Sequence, residues 1–363
     1  MPRSLLIFGA IVGLCLTAMD PSSVAHITPD QRIHLTLDTS EAVQTLHILA
    51  LRTRGVPIAD SEWQTLFSTE PYQRLKKREV EMSKAHNDPE LAFADEDFKQ
   101  FVLSDGLEKR AADLEATLSR WKQVDLHASA GRVLEYLPAE ARINAKVFPI
   151  IKPRQNSFVF EVATDPAIFL YLDPSESAAK FENTVAHELH HIGLGSIGPV
   201  YDKKIQDLPE RAHQVAEWMG AFGEGLAMLA AAGGPDADPH AASSAQDRAR
   251  WQHDLANFDS DLQTVNAFFL DALTGKLGTK EAVNEKAYTF FGIQGPWYTV
   301  GYRMAVIVEK RFGRARLIDA IVDPRLLLLL YNQAATEMNA TNKAQLPLWS
   351  TEVFHQCLPS PKQ

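Results

Sequence analysis

Cysteine is scarce in this sequence, with only two among 363 residues. Cys15 lies in an apolar run near the N-terminus, and Cys357 lies close to the other end. If the N-terminal run is removed on export, Cys357 alone remains and no internal disulfide is possible. The folded chain would then be stabilised by core packing and not by a covalent cross-link.

Long apolar runs are also missing. The strongest candidate, residues 4–18, is too short to span a membrane comfortably. It follows the basic Arg3 and precedes the small residues Ser23 and Ala25, which is the three-part pattern of a secretory signal. We therefore predict a signal peptide over residues 1–25 and an exported protein, periplasmic or extracellular, with no stable membrane span after cleavage. An uncleaved N-terminal anchor is the alternative.

The sequence has no strongly basic stretch. Its 46 acidic and 36 basic residues give a net charge of −10. Because nucleic-acid binding requires a basic surface that neutralises phosphates, the composition argues against a nucleic-acid partner. The hydrophobic content of 45% and the charged content of 23% are those of an ordinary globular protein. The length allows two compact units, and the sequence indicates no oligomeric state.

Helical periodicity dominates the chain, with one interruption. Residues 26–142 predict a helical N-terminal region. Residues 143–172 instead contain three short β-branched and aromatic runs, which predict a small sheet. Helical spacing then returns and continues through the C-terminal half. We therefore predict an α+β fold that is predominantly α-helical, with a second region at residues 143–363.

The stretch at residues 173–193, DPSESAAKFENTVAHELHHIG, predicts the most informative helix. Asp173 is a suitable N-cap, and the glycines after Ile192 provide a stop. Within this helix His187 and His191 are four residues apart and face the same way, so that both imidazoles can bind one metal ion. His190, between them, is expected to support the ligands from outside or to lie at the surface.

Glu188, next to the first of these histidines, is suited to a different task. In the pattern His-Glu-x-x-His the glutamate acts as a base on a water molecule that the metal activates. A chance occurrence of this pattern has a probability of roughly 2% in a chain of this composition. The reading of both histidines as ordinary polar residues of a half-buried helix is correspondingly weak.

A catalytic zinc site usually has three protein ligands, so a third is expected elsewhere. The best candidate is Glu224, on the next predicted long helix, which runs from about residue 209 to residue 232. Gly223 and Gly225 flank it and would let this helix approach the metal closely. Glu217 and Glu210 are the alternatives.

The sequences HELHH and GEGLA together resemble the gluzincin branch of zinc metallopeptidases, in which the third ligand is a glutamate on a downstream helix. Residues 148–313 also resemble a bacterial family of zinc-dependent peptidases. The resemblance implies that residues 143–363 form a gluzincin-like metallopeptidase domain. It also implies Zn²⁺ as cofactor and His187, His191 and Glu224 as its ligands.

A later segment, from Tyr298 to Gly301, is similar to the Tyr-x-Lys-Gly signature of aminopeptidase N-like gluzincins. The resemblance implies that Tyr298 stabilises the oxyanion, although Tyr302 is four residues on and could take this role instead. Val300 stands where those relatives have lysine, and a Gly-x-Met-Glu-Asn motif is not found upstream. The missing motif counts against aminopeptidase activity, because its glutamate binds the substrate amine.

These observations predict a zinc-dependent peptidase that acts on a peptide or protein substrate, with Glu188 as general base and Tyr298 as a second catalytic residue. Two alternatives are a non-catalytic binding protein that zinc stabilises and a zinc hydrolase of another amide or ester. The intact Glu188 favours an enzyme, because a structural zinc site needs no base beside it.

Overall fold

We analysed a computed structural model that describes residues 29–89, 93–341 and 345–358. The predicted signal peptide, residues 1–25, lies outside the described residues. Within the described ranges, none of the helices has the length and apolar character needed to cross a membrane. The contacts divide the chain into two compact units. The described residues of the first unit fall in His34–Leu126 and Asn144–Val185, and those of the second in Thr28–Ile33, His127–Ile143 and Ala186–Gln363.

The first unit combines a four-stranded sheet with short helices. Its helices are α1 (Ser40–Thr53), α2 (Asp60–Ser68), α3 (Glu70–His86), α4 (Asp95–Val102), α5 (Asp105–Glu108) and α6 (Ala111–Trp121). Its strands are β1 (Ile33–Leu37), β2 (Ile143–Ile150), β3 (Phe158–Phe160) and β4 (Ala167–Tyr171).

The second unit is helical. After α7 (Leu126–Leu134), the division between the units falls within α8 (Ala178–Gly195), after Val185. Then follow α9 (Gly198–Ile205), α10 (Glu210–Met219), a short 3-10 turn (Gly220–Phe222), α11 (Gly223–Ala232), α12 (Ala245–Ala256), α13 (Phe258–Leu273), α14 (Lys280–Tyr288), α15 (Pro296–Phe312), α16 (Arg314–Val322), α17 (Pro324–Thr341) and α18 (Thr351–Cys357). The predicted class, α+β and predominantly α-helical, is confirmed.

The sheet has the strand order β1-β2-β4-β3. β2 pairs in parallel with β4, whereas β3 pairs antiparallel with β4. The three predicted runs correspond to β2, β3 and β4. The edge strand β1 was not predicted, because its five residues show only a brief alternation of buried and exposed side chains.

The division into units differs from the boundary expected at residue 142. The sheet residues 144–171 belong with the helices that precede them, because the side chains of those helices are bonded to the sheet. The Glu41 carboxylate on α1 accepts a hydrogen bond from the Ile151 backbone N–H (2.9 Å), and the Arg74 guanidinium on α3 pairs with Asp165 (2.9 Å). Such long-range pairs leave no local trace in the sequence.

Helix α8 starts at Ala178, four residues after Pro174, the first helical residue that a cap at Asp173 predicts. Asp173 does not cap it, because its carboxylate accepts hydrogen bonds from the backbone N–H (2.9 Å) and the hydroxyl (2.8 Å) of Ser175 and forms a local turn. The Ser177 hydroxyl oxygen instead accepts a hydrogen bond from the Lys180 backbone N–H (3.1 Å). Aspartate and serine are both good caps, and the turn at Asp173 decides between them.

Glu41 is a buried acid within the first unit, with no exposed surface. Its carboxyl oxygens accept hydrogen bonds from the Thr45 hydroxyl (2.9 Å) and the Ile151 N–H. Burial raises the pKa of Glu41 to about 8, and these two bonds only partly oppose the effect. The folded chain therefore holds a proton at neutral pH that the unfolded chain releases.

We predict that the free energy of unfolding falls as the pH rises from about 5 to about 8, since the folded-state pKa of Glu41 lies above its unfolded value. The contribution is on the order of 3–5 kcal/mol at its largest. Glu41→Gln keeps acceptor and donor atoms in place and should flatten this pH dependence. Urea unfolding at several pH values tests it, with Glu115→Gln on the exposed face of α6 as the control. An unchanged slope for Glu41→Gln would contradict the assignment.

Candidate metal centre

Helix α8 carries the first part of the site within the second unit. The apolar side chains that recur at helical spacing along α8, namely Phe181, Val185, Leu189 and Ile192, are buried, as are all of residues 185–190. The part of the helix that carries the motif is therefore largely enclosed, and of its residues only His191 is partly exposed. His187 and Glu188 are buried, with 9% and 4% of their surface exposed, and the His191 side chain is 9% exposed.

The second part of the site comes from α11. The predicted long helix at residues 209–232 is present, but the 3-10 turn at Gly220–Phe222 separates α10 from α11. Glu224 lies in the first turn of α11, where every residue from Gly223 to Ala231 is buried. A carboxylate in such surroundings needs a partner of opposite charge.

Three electron-pair donors meet between these helices. The His187 Nε2 and His191 Nε2 atoms are 3.0 Å apart, and each lies 3.2 Å from Glu224 Oε2. In a tetrahedral zinc site with bonds of about 2.0–2.1 Å, neighbouring ligand atoms lie about 3.3 Å apart. The spacing of these three atoms therefore fits a zinc ion. Among the described residues they form a group able to hold a metal ion.

The electrostatics of the three side chains are coupled. Burial alone would raise the pKa of Glu224, but the neighbouring His191 and His187 outweigh it and lower this pKa far below its usual range. Burial would lower the pKa of His191, and the Glu224 carboxylate reverses the effect and raises it. The carboxylate is thus held ionised, as a metal ligand must be.

Glu188 stands beside the three donors without joining them. Its Oε2 atom is buried and has no hydrogen-bond partner within the part of the chain that the structure describes. Burial raises the pKa of Glu188, the Glu224 charge adds to the effect, and His187 and His191 oppose it. A buried acceptor without a partner is a group held ready for a ligand or a water molecule.

Tyr298 lies in the first turn of α15 and reaches the same place. Its ring stacks on the imidazole of His187, with centroids 6.2 Å apart and planes inclined by 13°. Its phenol lies close enough to the Glu224 carboxylate for that charge to act on it. Burial, followed by the charges of Glu224 and Glu188, raises the pKa of this phenol, so it remains a proton donor.

Tyr302, the alternative to Tyr298, points its hydroxyl elsewhere. That hydroxyl donates a hydrogen bond to the Ala237 carbonyl (3.3 Å), and the ring packs edge-on against Trp251. The alternatives to Glu224 also lie apart from the three donors. Glu210 is exposed at the start of α10, and Glu217 is exposed and pairs with His213 (3.6 Å).

His190 is fully buried, which the sequence did not indicate. Neither ring nitrogen has a hydrogen-bond partner among the described residues. Burial, together with the nearby His191 and His187, lowers its pKa well below the usual value, so the ring is neutral. An apolar stripe marks one buried face of a helix, and it gives no sign that the opposite face is also covered.

Comparison with known proteins relates this chain to a protein family but to no individual protein. No curated protein matches the chain, and no solved structure matches it. The model of the family described as "Putative zinc dependent peptidase (DUF5700)" matches residues 63–340, well over half of the chain, and the protein is therefore a member of that family.

Proposed function

We propose that the protein is a gluzincin-type zinc peptidase in which His187, His191 and Glu224 hold the metal and Glu188 acts as general base. The observation that carries the proposal is the convergence of three ligand atoms 3.0–3.2 Å apart, next to a buried carboxylate oxygen without a partner. The family membership supports peptide hydrolysis in general terms. The assignment of roles to residues is ours.

Zinc is the cofactor predicted from the sequence, and the family description together with the three converging ligands confirms it. When bound there, zinc polarises the scissile carbonyl and lowers the pKa of water to about 7. The two histidines and Glu224 supply one negative charge in all, so the site keeps a net positive charge that attracts a carbonyl oxygen.

Glu188 performs the proton transfers in this proposal. Its unpartnered Oε2 accepts a proton from the attacking water, and the same oxygen then delivers that proton to the leaving amine. Burial raises the pKa of Glu188, which makes its carboxylate a stronger base toward a water molecule. The positive charge of the occupied site opposes this effect and keeps the carboxylate available as a base.

Tyr298 is proposed to stabilise the developing oxyanion. Its phenol stays protonated and sits beside the ligands, stacked on His187. A donor in this position strengthens its hydrogen bond as negative charge develops on the carbonyl oxygen.

A non-catalytic zinc-binding protein would have no use for Glu188. A structural zinc site is usually closed by a fourth protein ligand, and no fourth ligand joins the three donors in the described part of the chain. The buried oxygen of Glu188 therefore favours an enzyme. Hydrolysis of another amide or ester would use the same groups. Assays with peptide substrates distinguish that activity from peptide hydrolysis.

The first prediction of the proposed function concerns the metal content of the protein. The protein should bind about one equivalent of zinc, because three protein ligands surround one position. The double variant His187→Ala/His191→Ala should lose it, whereas Glu217→Ala should retain it because that side chain is exposed and distant from the donors. Elemental analysis measures both. Full zinc content in the double variant would refute the ligand assignment.

The second prediction concerns Glu188. Glu188→Gln should retain zinc, because this side chain is not a ligand, and should lose turnover by at least about 100-fold. Hydrolysis of a peptide library, with and without a chelator, identifies a substrate for the assay. Glu217→Gln serves as the control and should keep wild-type turnover. A Glu188→Gln variant as active as wild type would remove this residue from the mechanism.

The third prediction separates the two tyrosines. Tyr298→Phe should fold normally, keep its zinc at micromolar concentrations, show a near-normal KM and lose about 100-fold in kcat. Tyr302→Phe loses only a hydrogen bond to a loop carbonyl and should keep its kcat. Steady-state kinetics on one substrate measures both variants. The oxyanion role would pass to Tyr302 if the two results were exchanged.

A further inference from the structure

Helices α11 and α15 cross at two glycines, Gly225 and Gly301. A Cβ atom on Gly225 would lie 2.0 Å from the backbone nitrogen of Tyr302 and 2.6 Å from the carbonyl oxygen of Tyr298. A Cβ atom on Gly301 would lie 2.7 Å from the carbonyl oxygen of Phe222. Non-bonded carbon atoms normally approach to about 3.5–4.0 Å. The two backbones are therefore in direct contact, and only glycine fits at either position.

This contact corrects the role expected for the glycines around Glu224. The sequence suggested that Gly223 and Gly225 let the helix approach the metal. A Cβ atom on Gly223 would make only an ordinary contact with Leu194, at 3.6 Å. Gly225 instead allows the close approach of α15, the helix that carries Tyr298.

The crossing lies next to the functional side chains on both helices. Gly225 directly follows Glu224, and Gly301 is three residues after Tyr298, on the same face of α15. Between Gly223 and Ala231, α11 is buried throughout. At the start of α15, Tyr298 and residues 294–296 are half-buried, whereas Trp297 is fully buried. Because the turn that carries Tyr298 directly precedes Gly301, a wider crossing would displace this turn relative to Glu224.

We propose that Gly225 and Gly301 are positioning residues of the metal site. Their contact holds the first turn of α15 close to α11, so that the Tyr298 ring stacks on His187 beside Glu224. The glycines act through Tyr298 and touch neither metal nor substrate. The catalytic part of this inference rests on the proposed function, whereas the part that concerns zinc affinity needs only the metal site.

The decisive variant is Gly225→Ala. Its methyl group must move from 2.0 Å to at least about 3 Å from the Tyr302 nitrogen, so the helices must separate by about 1 Å. A shift of this size disturbs the stacking of the Tyr298 ring on His187 and moves its hydroxyl away from the metal ligands. We expect a loss of about 100-fold in kcat with a KM close to wild type, as for Tyr298→Phe. We also expect zinc affinity, measured by competition with a chelator, to fall about 10-fold, because the ring that orients the ligand His187 is displaced.

Two controls isolate the crossing from a general effect of alanine. Gly220 lies in the preceding turn, where a Cβ atom would meet nothing within 4 Å, and Gly223 has room for a methyl group. Gly220→Ala and Gly223→Ala should therefore keep wild-type kcat and zinc affinity. Gly301→Ala is a second, milder test of the same contact and should change both quantities in the direction of Gly225→Ala.

A double variant distinguishes positioning from simple loss of structure. If Gly225 acts on turnover through the Tyr298 hydroxyl, Gly225→Ala should have little further effect on kcat in a Tyr298→Phe background. Additive losses would overturn the inference, and so would wild-type kcat and zinc affinity in both Gly225→Ala and Gly301→Ala. Failure of both variants to fold, with Gly220→Ala folded, would assign the glycines to stability alone.

The proposed function can fail independently of this inference. A wild-type protein that binds zinc without cleaving any peptide would refute the proposed function. The comparison of zinc affinity between Gly225→Ala and Gly220→Ala would still decide the positioning role.

Discussion

This part of the molecule depends on one constraint, the close approach of three buried atoms. His187 Nε2, His191 Nε2 and Glu224 Oε2 lie 3.0–3.2 Å apart. Two imidazoles and a carboxylate cannot stay so close in surroundings of low polarity without a proton or a metal ion between them. The Glu224 carboxylate favours such a proton and raises the pKa of the His191 imidazole. Zinc and protons compete for the same ligand atoms, so metal affinity depends on pH.

Burial also explains how the neighbouring groups acquire different tasks. Glu188 and Glu224 are both carboxylates with about 5% of their surface exposed, yet burial raises the pKa of the first while two histidines lower that of the second. Glu224 faces the imidazole nitrogens directly, and Glu188 has an oxygen without a partner among the described residues. The position of each glutamate relative to the histidines is thus what distinguishes the proposed ligand, Glu224, from the proposed base, Glu188.

Much of the site could be predicted from the sequence because helical periodicity is a local property. The spacing of four residues places His187 and His191 on one face of any helix, whatever its surroundings. Glu224 required more, namely two helices brought together, and its flanking glycines were an incomplete guide because Gly225 accommodates α15 rather than the metal. The burial of His190 and the pairing of strand β1 depend on distant parts of the chain. A single sequence carries no local signal for either.

The two tyrosines of α15 illustrate the same limit within one helix. A separation of four residues predicts that Tyr298 and Tyr302 share a face, and the sequence alone therefore left both as candidates. The crossing at Gly301 lies between them, so α11 approaches the helix at a point that places one tyrosine on each side of the contact. Tyr298 stacks on His187, whereas the Tyr302 hydroxyl donates to the Ala237 carbonyl. The neighbours of each tyrosine, rather than the face of the helix, therefore decide which phenol lies at the metal site.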